Sequence, residues 1–141
     1  MNKLLIYTDG GARGNPGPAA ASAVVKDSAG NVRLLCGKYL GVATNNFAEY
    51  QGVIVAYENI LKEKNLDSKD FELDFNLDSK LAVNQLNGVY KVKNANIRSL
   101  VLKIHSFETK FRRVSYRHIP RSQNTQADKI VNETLDEHAK K

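Results

Sequence analysis

The spacing of apolar residues changes near Asn46, and this change constrains the fold more than any other feature of the chain. Before Asn46, three runs rich in apolar residues predict three strands, at residues 3–8, 19–27 and 31–40. From Asn46 onward, apolar residues recur at intervals of three and four, so the chain switches there from strand to helix. The inner face of this predicted helix comprises Phe47, Tyr50, Val53, Ile54, Tyr57 and Leu61.

The rest of the chain continues with strands and helices. Residues 71–77 alternate apolar and polar side chains, as a half-buried strand does. Helical segments follow at 79–86 and 96–110, then a strand at 112–118 and a last helix from about 122 to 138. The predicted inner face of that last helix comprises Ala127, Ile130, Val131, Thr134 and Leu135. The order βββαβααβα predicts an α/β fold with an antiparallel meander first and helical crossovers later.

Length and composition narrow the class of protein. A chain of 141 residues suits one compact domain, so we expect a single domain over residues 1–141. Cys36 is the one cysteine, which excludes an internal disulfide and a zinc motif of cysteine pairs. No apolar run reaches the length of a membrane span, and we expect a cytoplasmic protein without membrane contact. The net charge of +6 favours a polyanionic partner, although excess lysine also serves solubility.

The segment IYTDGGARGNPGP, residues 6–18, places one acid, Asp9, directly before a glycine-rich loop. Neither the dinucleotide-binding pattern nor the P-loop pattern fits its four glycines, and the residues after them read as a strand. The loop is therefore predicted to join two strands and not to bind a nucleotide phosphate. The alternative for Asp9 is an acid that starts a turn.

Three further acids occupy comparable positions. Glu49 lies in the first turn of the first predicted helix, Asp78 directly follows the strand at 71–77, and Asp128 lies early in the last helix. Each has an ordinary alternative: a capping box with Asn46, a helix N-cap, and a helix-dipole contact, respectively. In an α/β fold, strand ends and the starts of the following helices share one edge of the sheet, so the four acids are expected to converge.

Converging carboxylates repel one another, so such a cluster normally includes a cation that offsets the charge. Oxygen ligands without histidine or cysteine indicate Mg²⁺ or Mn²⁺. Two such ions about 4 Å apart can hold a phosphodiester, one activating water and the other stabilising the leaving oxygen. The acids therefore favour metal-dependent chemistry on a phosphodiester.

The segments that carry these acids resemble the four successive motifs of type 1 ribonuclease H. They are TDGGARGNPGP with Asp9, NNFAEY with Glu49, LDSKLAV with Asp78 and HIPRSQNTQAD with Asp128, in the same order over nearly the whole chain. The likeness is greatest to the short form without an N-terminal hybrid-binding domain, in archaeal and related bacterial members. The resemblance implies a ribonuclease H-like fold: a mixed five-stranded sheet of order 3-2-1-4-5, antiparallel in its first three strands and flanked by helices.

The resemblance also implies a reaction, the Mg²⁺-dependent endonucleolytic hydrolysis of the RNA strand of an RNA/DNA hybrid, with 5′-phosphate and 3′-hydroxyl products. Two ions are implied, and Mn²⁺ is a substitute for Mg²⁺. Asp9 would bridge both ions, and Asp128 would help to hold the ion that activates water. Glu49 and Asp78 would hold the ion at the leaving group.

Substrate contacts are implied in the same way. The backbone of Gly10, Gly11 and Arg13, together with Glu49, would sense the 2′-hydroxyl that marks RNA. Other residues match contacts to the minor groove or, for Thr44, to a DNA phosphate, with loop and cap chemistry as the alternative. These residues are Asn15, Thr44, Asn45 and Asn46.

The chain departs from the family pattern between its two middle helices. Many members insert a basic helix there, whereas this chain has only GVYKVKNAN, residues 88–96, with Lys91 and Lys93. We therefore expect weaker affinity for the hybrid unless other cations compensate. The candidates are Lys80, Arg98, Arg112, Arg113 and Arg117.

Two residues compete for the role of a mobile loop residue that assists the leaving group or product release. Many family members carry a histidine there. His118 stands ten residues before Asp128 but ends a predicted strand, whereas Arg121 stands seven residues before it, within the loop. Arginine stays protonated, so it could attract phosphate but not act as a titrating acid or base. We favour Arg121, because a loop gives reach.

Two classes of function remain open at this point. One is a hydrolase acting on RNA/DNA hybrids, and the other is a nucleic-acid-binding module of the same fold without turnover. The four intact acids favour the hydrolase, because a binder gains nothing from burying like charges. Within the enzyme class, double-stranded RNA is a further candidate substrate. We expect a monomer without an obligate protein partner.

Overall fold

The computed structural model describes residues 2–64 and 66–140. In this part of the chain, the strands are β1 (Asn2–Ala12), β2 (Gly17–Asp27), β3 (Val32–Ala43), β4 (Phe71–Leu77) and β5 (Arg113–His118). The α-helices are α1 (Asn45–Leu61), α2 (Lys80–Leu86), α3 (Ala95–Glu108) and α4 (Thr125–Ala139). Short 3-10 helices at Ser68–Asp70 and Arg121–Gln123 precede β4 and α4. Among these described helices, none has the length and apolar character that crossing a bilayer requires.

The strands form one mixed sheet in the order β3-β2-β1-β4-β5. β1, β2 and β3 are antiparallel neighbours, whereas β4 runs parallel to β1 and β5 runs parallel to β4. The predicted α/β class and strand order are therefore confirmed. Asp9 and Asp78 each follow the last paired residues of β1 and β4, Thr8 and Leu77, so the parallel register brings both acids to one edge.

Two adjacent glycines of β1 show which helix covers which face of the sheet. A Cβ at Gly10 would collide with the carbonyl oxygen of Ala48 on α1, whereas a Cβ at Gly11 would lie 3.7 Å from Val131 on α4. Adjacent residues of a strand point to opposite faces, so α1 and α4 pack on opposite sides of the sheet.

The main hydrophobic core lies on the α1 side and includes α2 and α3. Its largest fully buried side chains include Ile6, Tyr50, Ile54, Tyr57 and Phe75. The predicted inner face of α1 is therefore confirmed at its centre. On the other side of the sheet, α4 contributes to a much smaller buried cluster of Ala20, Val131 and Leu135.

A chain of hydrogen bonds runs from the main core to its surface. The hydroxyls of Tyr57 and Tyr116 lie 2.6 Å apart, and Tyr116 donates to the carboxylate of Glu108 at 2.7 Å. The same carboxylate oxygen lies 3.0 Å from Nδ1 of His105 on the preceding turn of α3. Both tyrosine hydroxyls thus have partners, although the rings are buried.

The elements are where the sequence predicts them, with shifted ends. β4 has its predicted bounds, but β1 continues past residue 8 to Ala12, since Gly10 and Gly11 still pair with β2. The prediction that these two glycines belong to a loop is therefore wrong. The predicted start of the last helix near 122 is also wrong, because residues 121–123 form a 3-10 turn before α4 begins at Thr125.

Candidate active site

Asp9, Glu49 and Asp78 come together at the edge of the sheet where β1 and β4 end. One carboxylate oxygen from each acid lies within 4.8 Å of those of the other two. Asp9 is 3% exposed, and the other two side chains are half-buried. Because Asp9 lies inside β1, paired with Ser22 of β2, the alternative that it starts a turn is wrong.

Close contact between β1 and α1 positions Glu49 against Asp9. The carbonyl oxygen of Ala48 occupies the space that a side chain at Gly10 would need. On α1, a Cβ at Gly52 would lie only 2.6 Å from the carbonyl oxygen of Asp9. Both glycines therefore allow backbones to approach where any side chain would intervene. Glu49 lies between these two contacts and is held beside the strand that carries Asp9.

The capping alternatives for Glu49 and Asp78 are wrong. Thr44 caps α1 through its side chain, so Asn46 does not, and Glu49 lies beyond the first turn of the helix. Ser79 caps α2 through its hydroxyl, so Asp78 is not the cap residue either. The capping hydroxyl lies five residues before Glu49 in the first case and directly after Asp78 in the second, and neither acid takes part in it.

Burial and mutual repulsion raise the pKa of two of the acids. Burial is the largest cause for Asp9, the charge of Asp78 is the next, and the pKa rises to about 7. Burial likewise raises the pKa of Glu49 well above its ordinary value, and the charges of Asp9 and Asp78 add to the rise. Without a cation, these carboxyl groups therefore resist ionisation.

The donor atoms of the three acids suit a hard divalent cation. Each ligand is a carboxylate oxygen, the donor type that Mg²⁺ and Mn²⁺ prefer. Oε2 of Glu49 is buried and has no hydrogen-bond partner among the described residues. A buried acceptor without a partner costs free energy, and a cation would remove that cost and also offset the repulsion. The site therefore fits a metal ion.

Asp128 lies outside this group of three. It is half-buried in the first turn of α4, and its negative charge is the smallest of the contributions to the pKa of Asp9. A position in the first turn is also favourable for an acid on electrostatic grounds, so the helix-dipole explanation stays open. The structure thus brings three of the four predicted acids into one group and places the fourth within electrostatic range.

The asparagines predicted to contact the substrate lie in a hydrogen-bonded strip between β1 and α1. The side chain of Asn45 accepts from the backbone N–H of Ala12 at 2.8 Å, and that of Asn15 accepts from the N–H of Asn45 at 3.0 Å. Next to them is a cavity of about 630 Å³. Its polar lining includes Asn15, Thr44, Asn46, Asn94 and Asn96. The sequence did not indicate Asn94 and Asn96 as lining residues. They lie at the start of α3, in the segment 88–96 that was predicted to be only a short basic loop.

The side chain of Arg13 points to α4. Its guanidinium pairs with Asp136 at 2.7 Å, and both side chains are largely exposed. The predicted contact with the 2′-hydroxyl concerns the backbone of Arg13 and does not need this side chain.

The two candidates for the mobile loop residue differ in their relation to the acids. Arg121 is exposed in the 3-10 turn before α4, and its positive charge acts to lower the pKa of Glu49. His118 is exposed at the end of β5.

The cations predicted to compensate for the missing basic helix are of two kinds. All five are exposed, as are Lys91 and Lys93 of the short segment itself. Lys80, Arg98 and Arg113 form no ion pair with a described residue. Arg112, however, pairs with Glu72 at 3.1 Å, and Arg117 donates two hydrogen bonds to the side chain of Asn76 on β4, at 2.9 and 3.2 Å. The last two are thus engaged within the protein.

Sequence reasoning also missed Asn124, which touches the acid group. It is 1% exposed, and its side-chain amide donates to the carbonyl oxygen of Thr8 at 2.9 Å and to Oδ2 of Asp78 at 3.0 Å. An asparagine directly before a helix normally predicts a cap. The sequence shows that residue 124 is an asparagine close to a helix start, but it does not show that the side chain points inward.

Comparison with known proteins finds a matching family model and several similar proteins. A family model described as reverse transcriptase-like matches residues 7–134. Ribonuclease HI of Halobacterium salinarum is 35% identical over 138 residues, which cover 96% of this chain and 65% of that protein. A bifunctional protein of Mycobacterium tuberculosis is 38% identical over 135 residues, 95% of this chain. The chain spans only 36% of the length of that mycobacterial relative.

Solved structures agree with this placement. The crystal structure of LC11-RNase H1, a protein isolated from compost, in complex with an RNA/DNA hybrid matches with a TM-score of 0.90. The two are 40% identical over 96% of this chain and 99% of the other. RNase H1 of Halobacterium salinarum matches with a TM-score of 0.88 at 34% identity, over 96% and 98% of the two chains. Fold and acid group together define a protein of the ribonuclease H class. The chain belongs to the type 1 ribonuclease H family.

Proposed function

We propose that this protein is an endoribonuclease that hydrolyses the RNA strand of RNA/DNA hybrids in a metal-dependent reaction, with 5′-phosphate and 3′-hydroxyl products. The observation that carries the proposal is the group of Asp9, Glu49 and Asp78, whose carboxylate oxygens lie within 4.8 Å of one another. A module that only binds nucleic acid would gain nothing from this repulsion. The choice of substrate is supported by the likeness to LC11-RNase H1, which was crystallised with an RNA/DNA hybrid.

The three acids and Asp128 would hold two Mg²⁺ ions, for which Mn²⁺ can substitute. When bound, such ions lower the pKa of a coordinated water and stabilise the leaving oxygen of a phosphodiester. The protein contributes the position of its ligands: Asp9 is fixed within β1, and Glu49 is fixed by the contact of α1 with β1. Arg121 is charged at any working pH and would attract the scissile phosphate towards the acids.

Recognition of RNA would rest on the 2′-hydroxyl, sensed by Glu49 and by the backbone between Gly10 and Arg13. The strip formed by Asn15 and Asn45 next to this segment supports a contact with the minor groove. Since few exposed cations lie between α2 and α3, we expect modest affinity for the hybrid. Cleavage of double-stranded RNA, the monomeric state and a cytoplasmic location stay predictions from the sequence.

A cleavage assay with one labelled RNA strand tests the function. The strand is presented as an RNA/DNA hybrid, as duplex RNA and alone, each with Mg²⁺ and with EDTA. We expect the parent protein to cut the hybrid only with Mg²⁺, and Asp9→Asn to bind the hybrid without cutting it. Binding of the hybrid by the parent without any cleavage would instead establish a binding module. Comparable cleavage of duplex RNA would add that substrate.

A further inference from the structure

Asn124 precedes α4 but does not cap it. Its side chain makes no hydrogen bond to the first turn of the helix, although asparagine is among the best N-cap residues. The side chain is instead buried to 1% exposure between β1 and β4. A buried amide needs hydrogen bonds to replace those it made to water. The amide nitrogen of Asn124 makes two, whereas its Oδ1 has no partner among the described residues.

Those bonds connect Asn124 to the scaffold of the acid group. The side-chain amide nitrogen donates to the carbonyl oxygen of Thr8, the residue before Asp9, and to the carboxylate of Asp78. The backbone carbonyl of Asn124 accepts from the N–H of Asp128 at 3.1 Å. One residue thus links β1, the end of β4 and the start of α4.

We propose that Asn124 is a positioning residue that orients the carboxylate of Asp78 for metal binding, an inference that rests on the proposed function of the same site. A carboxylate with one oxygen held by an N–H group cannot rotate about its Cβ–Cγ bond without losing that hydrogen bond. The bond to Thr8 fixes the amide in turn, because a carbonyl oxygen can only accept. Outer contacts of this kind commonly change metal affinity or activity by about 10- to 100-fold when they are removed.

Two variants and one control test this role in the full chain. Asn124→Ala removes the donor, and Asn124→Leu removes it while keeping a side chain of the same branching and slightly larger volume. Leu135→Ala removes a buried side chain from the same helix, 4% exposed and remote from the acids, and so controls for destabilisation of α4. Mg²⁺ and Mn²⁺ binding is measured by titration calorimetry without nucleic acid. We expect about tenfold weaker binding for both Asn124 variants and parent-like binding for Leu135→Ala.

Kinetic and spectroscopic measurements can distinguish a positioning role from a purely structural one. We expect the Mg²⁺ concentration at half-maximal cleavage to rise by the same factor for the Asn124 variants, with the KM for the hybrid changed less than about twofold. In the parent, the NMR signals of the Asn124 side-chain amide should shift in step with Mg²⁺ binding. If neither variant folds, the NMR titration of the parent tests the positioning role by itself. Asn124 amide signals that do not shift when Mg²⁺ binds would overturn the inference.

The outcomes separate this inference from the proposed function. Folded Asn124 variants with the metal affinity of the parent would overturn the positioning role alone. A parent that binds Mg²⁺ through Asp78 but cuts no hybrid would overturn the proposed function and leave the positioning role in place. A parent that binds neither ion would overturn both.

Discussion

Arg121 acts electrostatically on Glu49. The guanidinium, carried by the 3-10 turn before α4, lowers the pKa of a carboxyl group that burial and two neighbouring acids raise. His118 lies three residues earlier, at the end of β5. Arg121 is therefore carried by a loop, whereas His118 is carried by a strand.

From this relation we expect Arg121→Ala to lower kcat much more than His118→Ala. If Arg121 attracts the scissile phosphate as proposed, its loss should cost on the order of 100-fold in rate, whereas loss of an exposed histidine at a strand end should cost little. Single-turnover cleavage of a hybrid at saturating Mg²⁺ measures the difference, with circular dichroism to verify folding. The rate of the parent should show no histidine-like step near pH 6.5. If that step is present and His118→Ala removes most of the turnover, the loop role belongs to the histidine.

Asp9→Asn should stabilise the metal-free protein while abolishing cleavage. The native pKa of Asp9, about 7, lies above its ordinary value of 3.8, so ionising this carboxyl costs the native state stability as pH rises through that interval. The cost is absent well below the ordinary pKa, near pH 3, and complete above about pH 7. We therefore expect the variant to equal the parent near pH 3 and to gain about 2–4 kcal/mol at pH 8. Urea unfolding in EDTA measures this gain.

Asp70→Asn is the matched control for that experiment, since Asp70 is an exposed acid in the 3-10 helix before β4. It should leave the free energy of unfolding nearly unchanged at both pH values. A drop in the stability of well-folded Asp9→Asn at pH 8 would show that the native structure depends on the charge of Asp9, contrary to our view of the site.

Gly10→Ala and Gly11→Ala should behave differently although they are neighbours. A Cβ at position 10 collides with the backbone of Ala48 and Glu49, whereas one at position 11 makes an ordinary 3.7 Å contact with Val131. We expect Gly10→Ala to cost about 2–4 kcal/mol and to weaken Mg²⁺ binding by displacing α1 from β1. Gly11→Ala should cost less than about 1 kcal/mol. Thermal unfolding and calorimetric titration compare the two, and equal behaviour would contradict the proposed packing of α1.

Strand choice should depend on single 2′-hydroxyl groups. If Glu49 and the backbone near Gly10 sense this group, one 2′-deoxynucleotide in the RNA strand should suppress cutting at that site and spare distant sites. Sequencing gels of end-labelled hybrids reveal the pattern. Equal cutting of an all-DNA duplex would refute recognition of the 2′-hydroxyl.

Tyr116→Phe should destabilise the fold without impairing the metal site. It removes the hydroxyl that joins Tyr57 to Glu108 and leaves the buried Tyr57 hydroxyl without its partner, at a cost of about 1–3 kcal/mol. Urea unfolding measures the loss, and Tyr90→Phe at a half-exposed position serves as the control. A Mg²⁺ requirement that differs from that of the parent would mean that the core network reaches the acids.

The regular elements could be predicted from the sequence because burial imposes periodicity. The alternation in β4 gave its bounds to the residue, and the stripe on α1 identified its buried face. The extension of β1 could not be predicted in this way. Gly10 and Gly11 carry no side chain, so they show no alternation, and glycines normally mark a loop.

The acids of the site could also be predicted, but the contacts that position them could not. Thr44 and Ser79 compete as caps with Asn46 and Asp78, and only the backbone decides which side chain reaches an N–H group. Asn124 illustrates the same limit more strongly. An asparagine at this position is expected to cap the helix. The side chain of Asn124 instead points inward, where it donates to the carbonyl oxygen of Thr8 and to the carboxylate of Asp78.

The four acids lie on elements that should need different free energies to open. Asp9 lies on β1 at the centre of the sheet, whereas Asp128 lies on α4 outside the main core. β1 is bonded on both sides, to β2 and β4, so its amide hydrogens exchange with solvent only when the sheet opens. α4 packs on the small cluster of Ala20, Val131 and Leu135, outside the main core, so we expect it to detach in a local opening before the main core unfolds. Such an opening would move Asp128 away, while β1, β4 and α1 would keep the other three acids together. We therefore expect the undocking rate of one helix, and not the global unfolding rate of the protein, to limit how long Asp128 stays within electrostatic range of the other acids.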